Sequence, residues 1–272
     1  MLNININFDE TNPEDVTVIC GKTIISITTT NDDKVVIEDD PNKRYGIFNT
    51  YTFNTTEDVD NFCNRFNHAN NYTDSNGVKL SLGDKIFIKD GKYNTHWLVA
   101  GFDCEYDRIA SDGTKYDNGY GIFLIPETII DILIWNIDGH VYDGYKNSSI
   151  HRFINNYVCN TIKLLLNNHL IQRNVLLSNS VNNCKWTKAY MTIMSLSQMT
   201  YEIKQSFSCY NDGEANYKLP LFDFAQIQVP NGWFWLRSIN DDKYAWSINY
   251  NGDAEQGYVD NARGVRPLMM IR

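Results

Sequence analysis

The chain is 272 residues long and carries 24 Lys and Arg against 33 Asp and Glu, a net charge of −9. With no basic cluster long enough to follow a phosphate backbone, this acidic balance excludes nucleic acid as a partner. No apolar run approaches the ~20 residues of a membrane-spanning helix, and the opening Met1-Leu2-Asn3-Ile4-Asn5-Ile6-Asn7 alternates polar with apolar residues, so neither membrane insertion nor a secretory leader is expected.

A chain of this size accommodates one large or two modest domains. Its first fifty residues read as short strands at 3–8, 16–20, 23–29, 34–38 and 45–53, separated by loops rich in Asp, Asn and Pro. Thr56-Glu57-Asp58-Val59-Asp60 then opens a helix. Thr55 or Thr56 caps it, acidic residues fill its first turn, and Val59, Phe62, Cys63 and Phe66 form its apolar stripe. Residues 1–78 are therefore expected to form a small β-rich unit with one helix, ending near Asn76-Gly77, ahead of a second domain over 79–272. The unit is either separate, serving to dock the chain, or an elaboration packed on the second domain. The separate reading is preferred.

Further along, Ser148 or Ser149 caps a second helix with Ile150, Phe153, Ile154, Tyr157 and Val158 on one face. The run 162–170 continues it or forms a second short helix. The C-terminal forty residues carry the strongest pattern. Trp233, Trp235 and Arg237 fall on one face of an extended segment and Phe234, Leu236 and Ser238 on the other, which indicates a central strand covered on both sides. Tyr244, Trp246, Ile248 and Tyr250 alternate with Ala245, Ser247 and Asn249 as in a half-buried strand. Asn251-Gly252 favours the positive φ of a tight hairpin, and 256–259 forms a weaker return. The chain closes on one strand over 265–271, with Pro267 implying an edge or a bulge. Arginine is rarely buried without a partner, so Arg237 and Arg266 are expected over tryptophan faces or against a carboxylate such as Asp223 or Asp253, as structural clamps.

The order Gly232-Trp233-Phe234-Trp235-Leu236-Arg237-Ser238, Tyr244-Ala245-Trp246, Asn251-Gly252-Asp253 and Gly264-Val265-Arg266-Pro267 resembles the closing segment of the C-type-lectin-like fold. The resemblance is to the branch that holds formylglycine-generating enzymes, phage tropism determinants and a large uncharacterised group of phage structural proteins and gut-bacterial surface proteins. It extends upstream with less force. Leu82-Gly83-Asp84-Lys85-Ile86-Phe87 with His96-Trp97-Leu98-Val99-Ala100-Gly101-Phe102-Asp103 resembles the family's opening hairpin, 121–126 its third strand, 148–155 its helix start, and 191–197 the segment before the aromatic block. The resemblance implies an α+β fold in which a twisted antiparallel sheet carries two helices.

Chemistry is harder to place. The formylglycine-generating family depends on two nearby C-terminal cysteines that hold copper, and Cys209 is the only cysteine after Cys184. That enzyme remains an unfavoured alternative. The calcium-dependent sugar-binding tripeptides of the animal lectins are missing; Trp135-Asn136-Ile137-Asp138 is the nearest fragment. Asp103, Asp107, Asp112 and Asp117 around Gly113 could supply oxygens to calcium, but such loops are far more often simply solvated. His68, His96, His140, His151 and His169 lack metal-ligand spacing, and Ser195 and Ser238 lack the context of a nucleophile elbow. The six cysteines, without a Cys-x-x-Cys pair, read as buried thiols. No catalytic set, cofactor or metal is expected.

What remains is binding. Phage tropism determinants place an aromatic and Asn/Ser-rich surface just before their closing segment, and here Trp246, Tyr250, Asn251, Tyr258, Asp260, Asn261 and Arg263 precede Gly264. Rigid aromatics with amide neighbours give contact area at low entropy cost. Either Trp246 and Tyr250 belong to this surface or they face the core. Trp233, Trp235, Arg237, Gly264, Arg266 and Pro267 form its structural frame. The resemblance implies a non-enzymatic virion protein, made in a bacterial host's cytoplasm, that decorates capsid or tail and adheres to host-surface or mucosal glycans. Its other partners would be virion proteins, with homo-oligomerisation expected. The alternative is a purely structural virion module contacting capsid or tail neighbours.

Overall fold

In this computed structural model the described residues are 16–20, 23–29, 35–38, 48–110, 113–180, 183–199, 217–223 and 232–272, with backbone alone for 16–38 and for Ser180. The chain divides into two compact units, 1–48 and 49–272. In the first, β1 (Val16–Cys20), β2 (Thr23–Thr29) and β3 (Val35–Glu38) form an antiparallel meander with Val16 opposite Ile27 and Ile27 opposite Ile37. These are three of the expected strands. The strand expected at 3–8 lies outside the described residues.

The division expected near residue 78 falls instead at 48. β4 (Thr50–Phe53) pairs in parallel with β5 (Lys85–Ile88), and α1 (Thr56–Arg65) is the crossover between them. Parallel neighbours require such a crossover, so strand, helix and strand form one unit of folding. Thr55 caps α1, accepting from the Asp58 N–H while the Asp58 carboxylate accepts from the Thr55 N–H. Val59, Phe62, Cys63 and Phe66 are buried as their spacing predicts, in the core of the larger unit.

The following strands are β6 (Thr95–Phe102), β7 (Arg108–Ile109), β8 (Lys115–Tyr116), β9 (Ile122–Pro126) and β10 (Asp131–Ile134). α2 (Ser149–Phe153) and α3 (Cys159–Leu166) are joined by a π turn at Ile154–Val158. Next come β11 (Arg173–Ser180), β12 (Asn183–Ala189), β13 (Met191–Ile193) and the short α4 (Leu196–Met199). The chain ends in β14 (Phe234–Ile239), β15 (Tyr244–Ile248), β16 (Ala254–Tyr258), β17 (Ala262–Val265) and β18 (Pro267–Ile271). The fold is α+β. Among the described residues, β13-β18-β9-β6-β5-β4 form one sheet and β10-β17-β14-β15-β16 another, while β11-β12 and β7-β8 form two hairpins.

The six-stranded sheet is buried on both faces. Trp97, Val99, Ile122, Leu124, Met269 and Ile271 join the cluster made with the helices. Leu98, Ala100, Phe123, Ile125, Leu268 and Met270 join Phe234, Leu236, Trp246 and Ile248 of the second sheet. The expected closing strand at 265–271 is two strands in different sheets. β17 pairs with β10, and beyond Arg266 the chain enters β18, an interior strand between β13 and β9. Pro267 is tolerated there because it is the strand's first residue, not because the strand is an edge.

The second helix explains its own irregularity. Ile150, Ile154, Val158, Ile162 and Leu166 are buried, a strict four-residue repeat. On an α-helix a four-residue step drifts by roughly 40° each time. The wider π turn takes up that drift and keeps the stripe facing the sheet. It also aims Asn155 at β13, where its amide donates to the Met191 carbonyl at 3.1 Å and accepts from the Met191 N–H. Tyr157, expected on the buried face, is 60% exposed for the same reason. His151 packs edge-on against Tyr145. Burial, with a smaller effect of Lys146, lowers its pKa from 6.5 to about 4.

A charged chain crosses the interior. Arg173 Nη1 donates to Glu105 at 2.6 Å with both side chains fully buried. The Tyr217 hydroxyl donates to Glu105 at 2.9 Å and Asn118 to its other oxygen at 2.7 Å. Gln198 donates to the Tyr217 oxygen at 2.8 Å and accepts from Arg237 at 2.8 Å.

Two stability predictions follow from these groups. Glu105→Ala leaves Arg173 charged and buried and should lower unfolding free energy by about 3–5 kcal/mol, whereas Glu105→Leu with Arg173→Met should cost less than either single change in urea titrations. His151 is held neutral in the fold, so as pH falls through 6.5 towards 4 the unfolded chain takes up the proton first and stability drops. His151→Gln should flatten that part of the pH–stability curve.

Candidate binding surface

The second sheet is centred on β14, as the two-sided apolar pattern of 233–238 predicts. Phe234 lies opposite Ile248 on one side and beside Gly264, in parallel, on the other. β15 is more deeply buried than its alternation predicts: Ala245, Trp246, Ser247 and Ile248 are all buried, because both faces of the strand are covered.

The described partners of the arginines in this block are carbonyls, an amide, a hydroxyl and aromatic rings. Arg237 donates to the Ile193 carbonyl at 3.0 Å and to Gln198, and Arg266 donates through Nε to the Pro126 carbonyl at 2.8 Å with its guanidinium over Phe234. Tryptophan faces are covered by Arg263, whose guanidinium carbon lies 4.3 Å from the Trp233 ring and 4.9 Å from that of Trp235. Arg263 also donates to the Ser247 hydroxyl, which in turn donates to the Glu255 carbonyl at 3.0 Å. A Cβ on Gly257 would stand 2.7 Å from the guanidinium, so the bare backbone there leaves it room. Half-burial lowers the Arg263 pKa, and the Glu255 carboxylate opposes that shift.

The seven residues expected to form one surface are distributed over four places. Trp246 is 7% exposed and belongs to the core with Phe234 and Ile248. Tyr250 and Asn251 are exposed on the 249–253 turn, where the Asn249 side chain accepts from the N–H groups of Asn251 and Asp253. Gly252 alone takes positive φ in that turn, at 91°. Tyr258, Asp260 and Asn261 lie at the opposite end of the β15–β16 hairpin, since Tyr258 faces Tyr244 in the register. At about 3.3 Å per residue, the two ends are roughly 15–20 Å apart. Arg263 lies on the sheet face between them.

The Tyr258 end is where chain segments converge. The Val259 carbonyl accepts from Trp135 and Asn136 N–H at 2.9 and 3.2 Å, and the Val259 N–H donates to Lys243. The Val141 N–H donates to the Asp242 carbonyl, and the Tyr142 hydroxyl to the Asp242 carboxylate at 3.3 Å. Loops 136–143, 240–243 and 259–261 are thereby tied together. They expose Tyr142 (55%), Tyr258 (51%) and Ile137 (77%), with Asp260 and Asn261 beside them. His140 stacks on Tyr142 with centroids 4.7 Å apart, and Tyr244 lies 4.3 Å from Tyr258. The hydrogen bond shared with Tyr258 raises the Tyr244 phenol to about 12.

Sequence reasoning named Tyr258, Asp260 and Asn261 but missed Tyr142, His140, Asp242 and Tyr244. Asp241 and Asp242 lie in a turn, in which Asp241 accepts from the N–H groups of Lys243 and Tyr244. Nothing in the sequence places that turn beside 136–143, about a hundred residues away. Of the four aspartates considered for calcium, Asp112 lies outside the described residues. Asp103 is taken by His68 and Tyr72, and Asp107 pairs with Lys115 at 2.5 Å.

A family model described as "Domain of unknown function (DUF6273)" matches residues 121–272, more than half of the chain. The chain belongs to this family. No curated protein and no solved structure matches it. The DUF6273 segment begins at β9 and contains the whole second sheet, Arg263 and the three convergent loops. β4, α1, β5 and β6 precede it, although they complete the six-stranded sheet on which β9 and β18 depend. Among the described residues no helix is long and apolar enough to cross a membrane.

Arg263→Ala removes a guanidinium that covers two indoles, and should cost about 1–2 kcal/mol in denaturant unfolding while red-shifting Trp233 emission. Arg263→Lys should recover only part of this, because an ammonium lacks the planar face that stacks.

Proposed function

We propose that this DUF6273 protein is a non-catalytic recognition module with a C-type-lectin-like fold, and that the loop end of its second sheet binds glycan. The observation that carries this reading is the exposure of Tyr142 and of Tyr258, at the end of β16, beside loops locked together by backbone hydrogen bonds, with Asp242, Asp260 and Asn261 at their edge. Exposed aromatic faces pack against the C–H faces of sugar rings, while carboxylate and amide groups take their hydroxyls. Because the loops are held before any ligand arrives, little order has to be gained on binding.

We further propose that the module is displayed on a phage virion, on capsid or tail, alongside other virion proteins and as a homo-oligomer, with residues 1–48 docking it. This setting rests on the resemblance of the Trp233–Ser238 and Gly264–Pro267 segments to phage structural proteins. Multivalent display would suit a shallow loop surface, since many weak contacts sum to stable adhesion. The rival reading, a structural module that meets capsid or tail neighbours without a ligand, would use the same exposed rings.

The two separate in one experiment. Purified virions carrying Tyr142→Ala and Tyr258→Ala should assemble normally and lose at least tenfold in adsorption to host cells or mucin. Failure of assembly with adsorption intact per particle would favour the structural role. Recovery of the protein in host cytoplasm, and none in virions, would end the display reading.

A further inference from the structure

A second cluster stands apart from the terminal sheet, where the turn after α1 meets the segment between β6 and β9. Among the described residues five non-glycines have left-handed backbone, and four of them, Asn71, Tyr72, Asp103 and Asp107, fall here. Such backbone is costly for a residue with a Cβ and persists only where its surroundings over-determine it. What it achieves here is the placement of one carboxylate. Asp103 accepts from the Tyr72 hydroxyl, from the Gly121 N–H at 2.8 Å and from His68 Nδ1 at 2.8 Å.

A carboxylate only accepts, so Nδ1 carries the hydrogen, and in the neutral imidazole Nε2 is left as an acceptor. The His68 side chain is 46% exposed. Its imidazole lies parallel to Tyr120, with centroids 3.3 Å apart at 9°, and Tyr106 continues the stack at 4.2 Å. Tyr106 is 41% exposed, and none of these three rings belongs to a core cluster. The strained backbone therefore builds a ladder of rings on the surface, not a packed interior.

We propose that this ladder is a second binding site, for a neutral hydroxyl-bearing ring such as a saccharide unit, which stacks on Tyr106 and gives its hydroxyls to the acceptors along the ladder's edge. Those acceptors are His68 Nε2 and the exposed carboxylates of Asp107 and Asp117. Asp117 acts on Tyr120 electrostatically, and Lys115, held by Asp107, lies near Tyr106. The carboxylates would repel a phosphate or sulfate. A quaternary ammonium calls for rings set at angles around it, whereas these rings are parallel. A pyranose, with one apolar face and a rim of donors, matches both features.

The site shares a ligand class with the loop surface but no residue, and it lies just outside the DUF6273 segment. It therefore stands or falls independently. The full chain, clustered on a multivalent support, would be tested on a panel of neutral, sulfated and phosphocholine-bearing glycans. At least one neutral glycan should lose tenfold or more of its signal with Tyr106→Ala and with His68→Ala, while Tyr106→Phe and Tyr258→Ala retain it. In the unmutated protein that glycan should protect Tyr106, but not Tyr142, from nitration by tetranitromethane. Binding confined to sulfated or phosphocholine glycans, neutral hits indifferent to Tyr106→Ala, or no hits at all would each overturn the proposal.

Discussion

Two sheets have to be held in one register, and the buried run Arg173–Glu105–Tyr217–Gln198–Arg237 reaches from the Leu268 carbonyl of one to β14 of the other. Each member comes from a different part of the chain: β11, the loop after β6, the segment before Asp223, α4 and β14. Apolar packing is tolerant of small shifts. A fully desolvated ion pair with shared hydrogen bonds is not, because a displaced partner leaves a charge without compensation. Arg237 is thus a terminus of this chain, and its place in the middle of an aromatic strand follows from the need to reach Gln198.

The same logic distinguishes the three arginines of the C-terminal block. Arg237 and Arg266 are inside: Arg237 donates to a backbone carbonyl and an amide, and Arg266 to a backbone carbonyl with its guanidinium over Phe234. Arg263, at the sheet face, is satisfied by indole rings and a hydroxyl. Each has a directional acceptor, and Arg263 and Arg266 also rest on aromatic faces. Arg263, the one closest to solvent, keeps part of its hydration as well.

Both surfaces put forward for binding depend on rigid supports that are not themselves exposed. The loops around Tyr142 and Tyr258 are tied through Val259 and Asp242, and the His68–Tyr120–Tyr106 ladder is tied through Asp103. In each case the exposed rings are ordered by buried or half-buried polar groups behind them. Tyr72 illustrates the coupling. Burial and the neighbouring Asp103 raise its phenol well above the ordinary value, so it remains a donor to that carboxylate.

The local content of this chain was legible from residue order alone: α1 with its Thr55 cap and Val59–Phe66 stripe, β1 and β2, and β14 as a central strand. Each depends on contacts within a few residues, which periodicity and capping chemistry record. The helix from Ser149 was legible in position but not in its π turn, although the four-residue spacing of Ile150, Ile154, Val158 and Ile162 contains that information. Tertiary structure alone decided that the unit boundary falls at 48, that Pro267 opens an interior strand, and that Trp246 is core while Tyr142 is surface. It also brought His68, Asp103 and Tyr120 together. Those outcomes turn on which distant segments pair, and an amphipathic strand reads the same whichever neighbour covers it.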